Sequence, residues 1–555
     1  MLAILLNQTR VLHWQMPVSR RYLCFIPLLL TLALGLWRSW SVPPSDFAGY
    51  YYGSRALLHR ETEGAYDMSL LNDRIAAAGY RNVFVSYAPF PPFTSLIFAP
   101  FLIFPMLAAK TIFNCVSMAL FLFSLVRVYR YLSLPSAVML ILPVVFFIPL
   151  LNNLAFGQAY LLLFALLTEG WLAYAKERRI WAAFLWAAAI LFKLFPAFLF
   201  LFLLLRKKYR HTAYLAAACA ALLVPALWLN GTGAWKLYLS VIIPRMSRGE
   251  LNDSFTYVFQ SAFMLLKRAF VYDGLLNPHP FVNSPWIFAM GMALFKAAIL
   301  TPAVRLTLRE KDEFLPFTVW IAAGLLISPN GSSYALVLLL LPLLALARRT
   351  WVLHPRVGSF SFAIVPPALL LAAACAVPAA SLGKLPLAMQ FPRLYLLLIF
   401  YFLLISRGRV LSSLPLFAAL AAVFIGVAIP GLLRVKAEGQ YVLPAEAHLF
   451  ICDYTVRDHR LSYTWRDEKG RHEAVTGLPI LSMTGQAVAL RDNQIWFGGR
   501  QLTHSADRKA QPELVNGAEV YYLSDACRGF GFYTLRKVRP VAAMPDAAAI
   551  PGSSR

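Results

Sequence analysis

Long apolar segments, separated by short polar and basic stretches, run from Tyr22 to Leu433. Segments of roughly 17 to 25 apolar residues are long enough to cross the hydrocarbon core of a bilayer. The pattern therefore predicts a polytopic α-helical membrane protein with about 12–14 membrane segments. The predicted spans lie near residues 22–40, 93–126, 134–151, 157–175, 180–205, 212–229, 285–304, 314–328, 334–347, 358–380, 394–406 and 411–433.

The segment 180–205 is unusual because basic clusters flank both of its ends. Since positive residues concentrate on the cytoplasmic side, a single crossing would invert every span that follows. The stretch LFKLFPAF at its centre contains Pro196, which interrupts a helix. We predict a hairpin of two short helices with Lys193 at its tip. A similar half-penetrating piece is predicted at 93–104, between Pro92 and Pro105.

The pattern changes after Leu433. Short alternating runs such as RLSYTW, AVALRD, NQIWFGG and EVYYLSD are typical of strands. Turn signals at Glu468–Gly470, Gly498–Gly499 and Asn516–Gly517 separate them. The sequence thus predicts two domains, a membrane domain at 1–433 and a small β-rich domain at 434–555. Cys452 and Cys527 fall in the second domain, and the sequence leaves open whether they form a disulfide.

Composition and charge narrow the class of protein. The 555 residues are 59% hydrophobic and 14% charged, which excludes an ordinary soluble enzyme. The formal net charge of +25 sits in short basic clusters between apolar segments, a pattern that fixes topology and indicates no nucleic-acid partner. The first apolar segment has no signal-peptide cleavage site, so we expect it to be retained with the N terminus inside. Span counting then places the β-rich domain outside.

Two charged residues stand out on the predicted outer face. Asp46 follows the first span in the stretch SVPPSDFAGYYYGSRALL. It either caps the next helix or acts as a general base at the rim of an apolar cavity, and these interpretations are compatible. Lys193 lies in an otherwise apolar segment, where an amine usually marks an anion site, although it can also extend its ammonium group to the membrane surface.

Other outer-face residues are candidates for binding a phosphorylated sugar. Arginines in PRMSRGELNDSF can hold a phosphate, or belong to a solvated loop or contact lipid headgroups. Tyrosines after Asp46 and near YAPFPPF can stack on a sugar or form an interfacial belt. The candidate substrate-binding residues are Arg245, Arg248, Asn252, Ser254, Gln158, Tyr50, Tyr51, Tyr87 and Asn330, together with Lys193.

The sequence contains no nucleotide-binding, zinc-binding or dinucleotide-binding motif. We therefore predict no metal and no cofactor, and a donor that comes from the lipid phase.

Several stretches occur in the order found in one enzyme family. They are SDFAGYYYGSRALL, GAYD at Gly64–Asp67, YAPFPPFTSLIFAP, FGQAYLLLFALL, AAAILFKLFPAFLFLFLLLRKKYR, NDSF and LLISPNGSSYALVLLLLPLL. Together they resemble glycosyltransferase family 87, over roughly Tyr22 to Leu433. The resemblance implies a GT-C fold and a polyprenyl-phosphate-mannose-dependent transferase of the bacterial plasma membrane. It also implies Asp46 as catalytic base and a donor site formed by Lys193 of the KxxP element and by polar outer-loop residues.

The resulting hypothesis is an inverting transfer of a hexose from a polyprenyl-phosphate donor to a hydroxyl of a lipid or glycan acceptor at the outer face of the bilayer. The alternative is a transporter or flippase of a lipid-linked glycan, for which broken helices and an intramembrane lysine are equally suitable. A third interpretation is an inactive relative whose β-rich domain binds glycan. The sequence identifies neither the sugar nor the acceptor.

Overall fold

The computed structural model describes residues 23–250, 255–274, 276–353, 357–406, 413–434, 438–443, 449–457, 460–467, 469–477, 488–515 and 519–539, with only the backbone for 357–362 and 430–434. Helices are the main elements of the described residues up to residue 434. They are α1 (Ile26–Ser41), α2 (Ser45–Leu58), α3 (Thr62–Tyr66), α4 (Met68–Ala77), α5 (Thr94–Phe98), α6 (Met106–Leu132), α7 (Ala137–Val145), α8 (Phe147–Phe156), α9 (Tyr160–Ala175) and α10 (Arg179–Phe192).

The second half of the helical part begins with α11 (Phe198–Leu205). The further helices are α12 (Tyr209–Leu237), α13 (Ile243–Ser247), α14 (Ala262–Phe270), α15 (Pro285–Arg309), α16 (Phe314–Ile327), α17 (Leu340–Leu353), α18 (Val357–Ala376), α19 (Pro392–Ser406) and α20 (Leu414–Arg434). A π-helical turn at Tyr238–Ile242 joins α12 to α13, and a 3-10 helix at Ser333–Leu339 leads into α17.

Among the described helices, four stretches are long and apolar enough to cross a membrane by length and composition. These are Met106–Leu132, Tyr209–Ser247, Pro285–Arg309 and Ser333–Leu353. The pair α7 and α8, bent by 59°, would add a fifth, and most other predicted spans correspond to shorter apolar helices. The helical part is thus compatible with a multi-pass membrane protein, while the number of 12–14 segments stays a prediction.

The predicted break in the segment 180–205 is confirmed. Helix α10 ends at Phe192, Lys193 is extended, and α11 begins at Phe198 after a 3-10 turn. The far ends of the two helices approach each other: His211 Nε2, just after α11, lies 3.5 Å from Glu177 Oε2, just before α10. Tyr174 and Arg206 also meet on the Glu313 carboxylate. The two helices therefore form a hairpin with Lys193 at its tip.

The C-terminal part is rich in strands, as the alternating pattern predicts. The strands are β1 (Gln440–Tyr441), β2 (Phe450–Arg457), β3 (Arg460–Asp467), β4 (Gly470–Gly477), β5 (Val488–Arg491), β6 (Gln494–Phe497), β7 (Arg500–Gln501), β8 (Lys509–Val515), β9 (Glu519–Ser524) and β10 (Thr534–Val538). They form antiparallel sheets in the orders β1-β10-β9-β8, β2-β3-β4 and β5-β6-β7. We call this part the C-terminal β region.

Two turns of this region illustrate the local chemistry. Gly498 and Gly499, predicted as a turn, both have positive φ, and so do Asp492 and Asn493 between β5 and β6. Such residues suit tight hairpins because they adopt the left-handed conformation at low cost. Cys452 and Cys527 are not joined by a disulfide. The predicted turn at Asn516–Gly517 lies outside the described residues.

The C-terminal β region docks on the polar segment that follows α2 and on the end of the 209–247 helical stretch. The Arg245 guanidinium, at the end of the 209–247 helical stretch, forms an ion pair with Asp525 at 2.8 Å. Arg508 pairs with Asp67, and Met68 N donates to the Phe530 carbonyl at 3.0 Å. These contacts join residues several hundred positions apart in the chain.

Candidate functional site

Asp46 lies in the first turn of α2. This helix begins at Ser45, directly after Pro43 and Pro44 in the connection from α1. The N-cap position is held by Pro44, which has no capping side chain. The Asp46 carboxylate instead accepts a hydrogen bond from Gln158 Nε2 at 2.7 Å. Asp46 is half-buried as a residue and its carboxylate is held by a side chain from another segment, so the described contacts favour the interpretation of a site residue over that of a simple cap.

Gln158 is held in place by the turn FGQAY. Gly157 ends α8 in the left-handed conformation with φ of 69°, and a Cβ there would lie 2.7 Å from Phe47 Cβ. The Gln158 amide then bridges two groups of α2, because its oxygen accepts a hydrogen bond from the Tyr50 hydroxyl at 3.1 Å while its nitrogen donates to Asp46. Since both ends of the amide are used, the carboxylate is held in one orientation.

Lys193 approaches the same group from the hairpin tip. Its side chain is 7% exposed, and its ammonium lies 4.2 Å from the centroid of the Tyr160 ring and 4.8 Å from that of Phe90. It acts electrostatically on Asp46 without forming an ion pair with it in the described structure. Aromatic faces stabilise a cation but provide no hydrogen-bond acceptor, so the ammonium is suited to receive an anion.

The electrostatics of Asp46 have opposing causes. Burial raises the pKa of this carboxyl above its usual value, whereas the hydrogen bond from Gln158 and the positive charges of Lys193 and Lys110 lower it. Burial is the larger effect. A carboxylate with a raised pKa is a better proton acceptor than an ordinary aspartate, which is what a general base requires.

Two tyrosines complete the surroundings of the carboxylate. Tyr160 and Tyr334 both interact electrostatically with Asp46, and their ring centroids are 5.5 Å apart. Tyr334 is brought here by the loop SPNGSS, because Asn153 Nδ2 donates to the Tyr334 carbonyl at 2.9 Å. Tyr160 and Tyr334 lie within the stretches FGQAYLLLFALL and LLISPNGSSYALVLLLLPLL, and Lys110 lies within the predicted span 93–126, but none of the three is among the predicted site residues.

Tyr51 and Tyr87, the other predicted tyrosines, make packing and hydrogen-bond contacts within the protein, and their role in substrate binding stays a prediction. The Tyr51 hydroxyl donates to the Phe104 carbonyl at 2.9 Å. Tyr87 is fully buried, lies 3.3 Å from the Ser54 hydroxyl, and packs edge-to-face on Phe90, the ring beneath Lys193. Tyr87 therefore supports the site through Phe90.

Asn330 lies in the SPNGSS loop, and it lines a small cavity of about 20 Å³ with Gln260 and Arg393. Asp46 is not among the residues that line this cavity. Its backbone N–H donates to the Ser328 hydroxyl at 3.3 Å. Asn252 and Ser254 lie outside the described residues.

Arg245 and Arg248 are engaged by protein carboxylates. Arg245 is 6% exposed and pairs with the fully buried Asp525, while Arg248 forms two hydrogen bonds of 2.8 Å with Glu250. The cations that act on Asp46 are Lys193 and Lys110 instead. These arginines thus pair with other carboxylates than Asp46 in the described structure, and their role in phosphate binding stays a prediction. No cluster of three or more metal-ligating side chains occurs among the described residues.

The described helices are compatible with a multi-pass membrane protein, and this site brings together a carboxylate, an amide and an ammonium group from distant segments. The family model of glycosyltransferase family 87 matches residues 88–329 of this chain. This match confirms the resemblance predicted from the sequence and implies a membrane glycosyltransferase. It includes Gln158, Lys193 and both arginines, and excludes Asp46, Asn330 and the C-terminal β region. A search of curated proteins found no significant match.

Proposed function

We propose that this membrane glycosyltransferase moves a hexose, mannose by analogy with the family, from a polyprenyl-phosphate donor to a hydroxyl of a lipid or glycan acceptor. The reaction would take place on the extracytoplasmic face of a bacterial plasma membrane, and it would invert the anomeric centre. The observation that carries the proposal is the Asp46 carboxylate, fixed by Gln158 at 2.7 Å, with the Lys193 ammonium nearby and in contact with the rings of Tyr160 and Phe90.

In the proposed reaction, Asp46 accepts the proton of the acceptor hydroxyl as its oxygen attacks the anomeric carbon. The bond between that carbon and the phosphate oxygen breaks, and the lipid phosphate leaves with the electron pair. Lys193 stabilises the negative charge that grows on the departing phosphate. Attack opposite the leaving group gives inversion, and the sugar transfer requires neither a nucleotide nor a metal because the donor is already activated.

The test compares membranes containing wild-type protein with membranes containing Asp46→Asn or Asp312→Asn. Each receives a panel of labelled polyprenyl-phosphate sugars and a total lipid extract, and transfer is measured. Asp312 is a matched control for two reasons. It lies before the first residue of α16, at the end of that helix opposite to the SPNGSS loop. An asparagine side chain at this position can still accept the hydrogen bond from Phe314 N.

We expect transfer by wild type and by Asp312→Asn, and a loss of about 100-fold or more in Asp46→Asn, because general-base catalysis contributes roughly that factor. Lys193→Met should weaken use of the donor more than use of the acceptor. Full activity of Asp46→Asn would reject its role as base. If no donor is used by well-folded wild-type protein, the transferase proposal is rejected in favour of transport of a lipid-linked glycan.

A further inference from the structure

Helix α6 carries polar side chains inside a stretch that is otherwise apolar enough to span a membrane. Lys110 and Asn114 are 2% and 1% exposed, and they lie four residues apart, on one face of the helix. A buried ammonium or amide is costly unless it has partners. Their partners therefore indicate what these two residues do.

Lys110 binds the end of α1. Its Nζ donates to the Ser39 carbonyl at 2.8 Å and to the Val42 carbonyl at 3.4 Å. Carbonyls at a helix C terminus lack intrahelical donors, and a cation is favourable there because the helix dipole is negative at that end. Val42 precedes the two prolines that lead into Asp46, so Lys110 fixes the start of this turn.

Asn114 links the same turn to the segment that carries Gln158. Its Nδ2 donates to the Ser39 hydroxyl at 3.0 Å and to the Leu154 carbonyl at 2.8 Å. Leu154 lies in the last turn of α8, four residues before Gln158. One face of α6 thus holds both segments whose side chains form the hydrogen bond between Asp46 and Gln158.

We propose that Lys110 is a positioning residue for Asp46, which fixes the turn before the carboxylate and supplies a second positive charge beside it. This inference rests on the proposed function, in which Asp46 is the base. Lys110 makes its hydrogen bonds to the backbone carbonyls of the turn before Asp46, so it holds the carboxylate in position through that turn and polarises it by its charge. Lys193 is the cation assigned to the phosphate of the donor.

The charge of Lys110 has a consequence that packing alone does not have. Positive charge stabilises the ionised carboxylate, so removing it raises the pKa of Asp46 above its already raised value. Lys193 would still oppose this change. The charged and titratable groups that act on Asp46 in the described structure are Lys110, Lys193, Tyr50, Tyr160 and Tyr334.

The experiment measures protonation of Asp46 directly. A hydrophobic carbodiimide reacts with protonated carboxyl groups, and mass spectrometry of the Asp46 peptide gives the pH at which half of the carboxyl is modified. The proteins are full-length wild type, Lys110→Met, Lys110→Gln, Lys110→Arg and Lys296→Met. Lys296 is a control because it is another lysine in a span-length helix, and its ammonium lies 5.7 Å from the Phe424 ring.

We expect the labelling midpoint to move to higher pH in Lys110→Met and to stay near the wild-type value in Lys110→Arg and Lys296→Met. Lys110→Gln keeps a hydrogen-bond donor without the charge, so it should also raise the midpoint if Lys110→Met fails to fold. In the transfer assay, Lys110→Met should lower kcat by roughly 100-fold with little change in KM for the donor, because a small displacement of a catalytic group has that effect. The acid limb of kcat/KM should move to higher pH.

An unchanged midpoint in the folded neutral variants overturns the inference, and so does a loss of activity that is equal at all pH values. The labelling midpoint does not depend on transfer. Absence of transfer by wild type would therefore reject the proposed function while the labelling still decides whether Lys110 polarises Asp46.

Discussion

The ion pair between Arg245 and Asp525 gives a quantitative prediction about the C-terminal β region. The two side chains are 7% and 0% exposed, so solvent does not screen them, and Arg245 also donates to the carbonyls of Asp525 and Arg528 at 3.3 Å. We expect Arg245→Met to loosen the contact between this region and the segment after α2.

The magnitude follows from the partners that Asp525 would keep. Removing one member of a buried ion pair costs about 3–5 kcal/mol, because the other charge stays buried without its partner. Asp525 would still accept hydrogen bonds from Arg508 N at 2.7 Å and Gly531 N at 3.0 Å. We therefore expect a loss at the lower end, about 3 kcal/mol, which is roughly a 100-fold increase in the equilibrium constant for undocking.

Hydrogen–deuterium exchange measures this opening. The amide of Met68 is a suitable probe because it donates across the contact to the Phe530 carbonyl at 3.0 Å. Its exchange should become about 100-fold faster in Arg245→Met. The control is Arg74→Met, which removes an arginine paired with Glu61 where both side chains are 43–49% exposed, so that its loss costs less than about 1 kcal/mol.

A second variant separates the ion pair from a general loss of packing. Replacing both charges, as in Arg245→Met with Asp525→Leu, leaves no unpaired buried charge and should restore much of the protection. Equal exchange of Met68 in Arg245→Met and Arg74→Met would refute the reasoning. So would a double variant that is as open as the sum of its two single variants, since the two charges would then act independently.

Two further predictions concern the Gln158 turn. Gln158→Leu should reduce transfer by at least about tenfold with little change in thermal stability, because Asp46 and Tyr50 lose their shared partner; unchanged kcat would contradict a role in orienting the base. Gly157→Ala should lower the thermal midpoint by several degrees, because φ is 69° and the new Cβ would meet Phe47 Cβ at 2.7 Å, and a wild-type midpoint would contradict it.

The sequence predicts parts of the site in which one polar residue interrupts an apolar context. Lys193 is such a residue, and Pro196 beside it predicts the break that places the ammonium at a hairpin tip. The alternating pattern likewise predicts the strands β3, β5, β6 and β9. In each case the signal is local, because cost of burial and backbone geometry are properties of the segment itself.

The partners of Arg245 could not be predicted in this way. Asp525 lies 280 positions later, and nothing in the PRMSRGE stretch distinguishes an arginine that binds phosphate from one that binds a distant carboxylate. Lys110 and Asn114 are a different case. Their spacing of four residues places them on one face of an apolar segment, so the sequence alone can predict that they lie together. The chain has many other basic residues at the ends of its spans, so Lys110 does not stand out by its charge.

The charges of the proposed site explain why two lysines accompany one aspartate. A polyprenyl-phosphate sugar is a phosphodiester with one negative charge. With ionised Asp46 it balances the positive charges of Lys110 and Lys193. After the proposed transfer, Asp46 would carry the acceptor's proton and be neutral, while the lipid phosphate would be a monoester that can carry two negative charges. The same two lysines balance that state as well, so the reaction would move charge within the site without leaving an unpaired charge among apolar helices. A site with Lys193 alone would balance neither state.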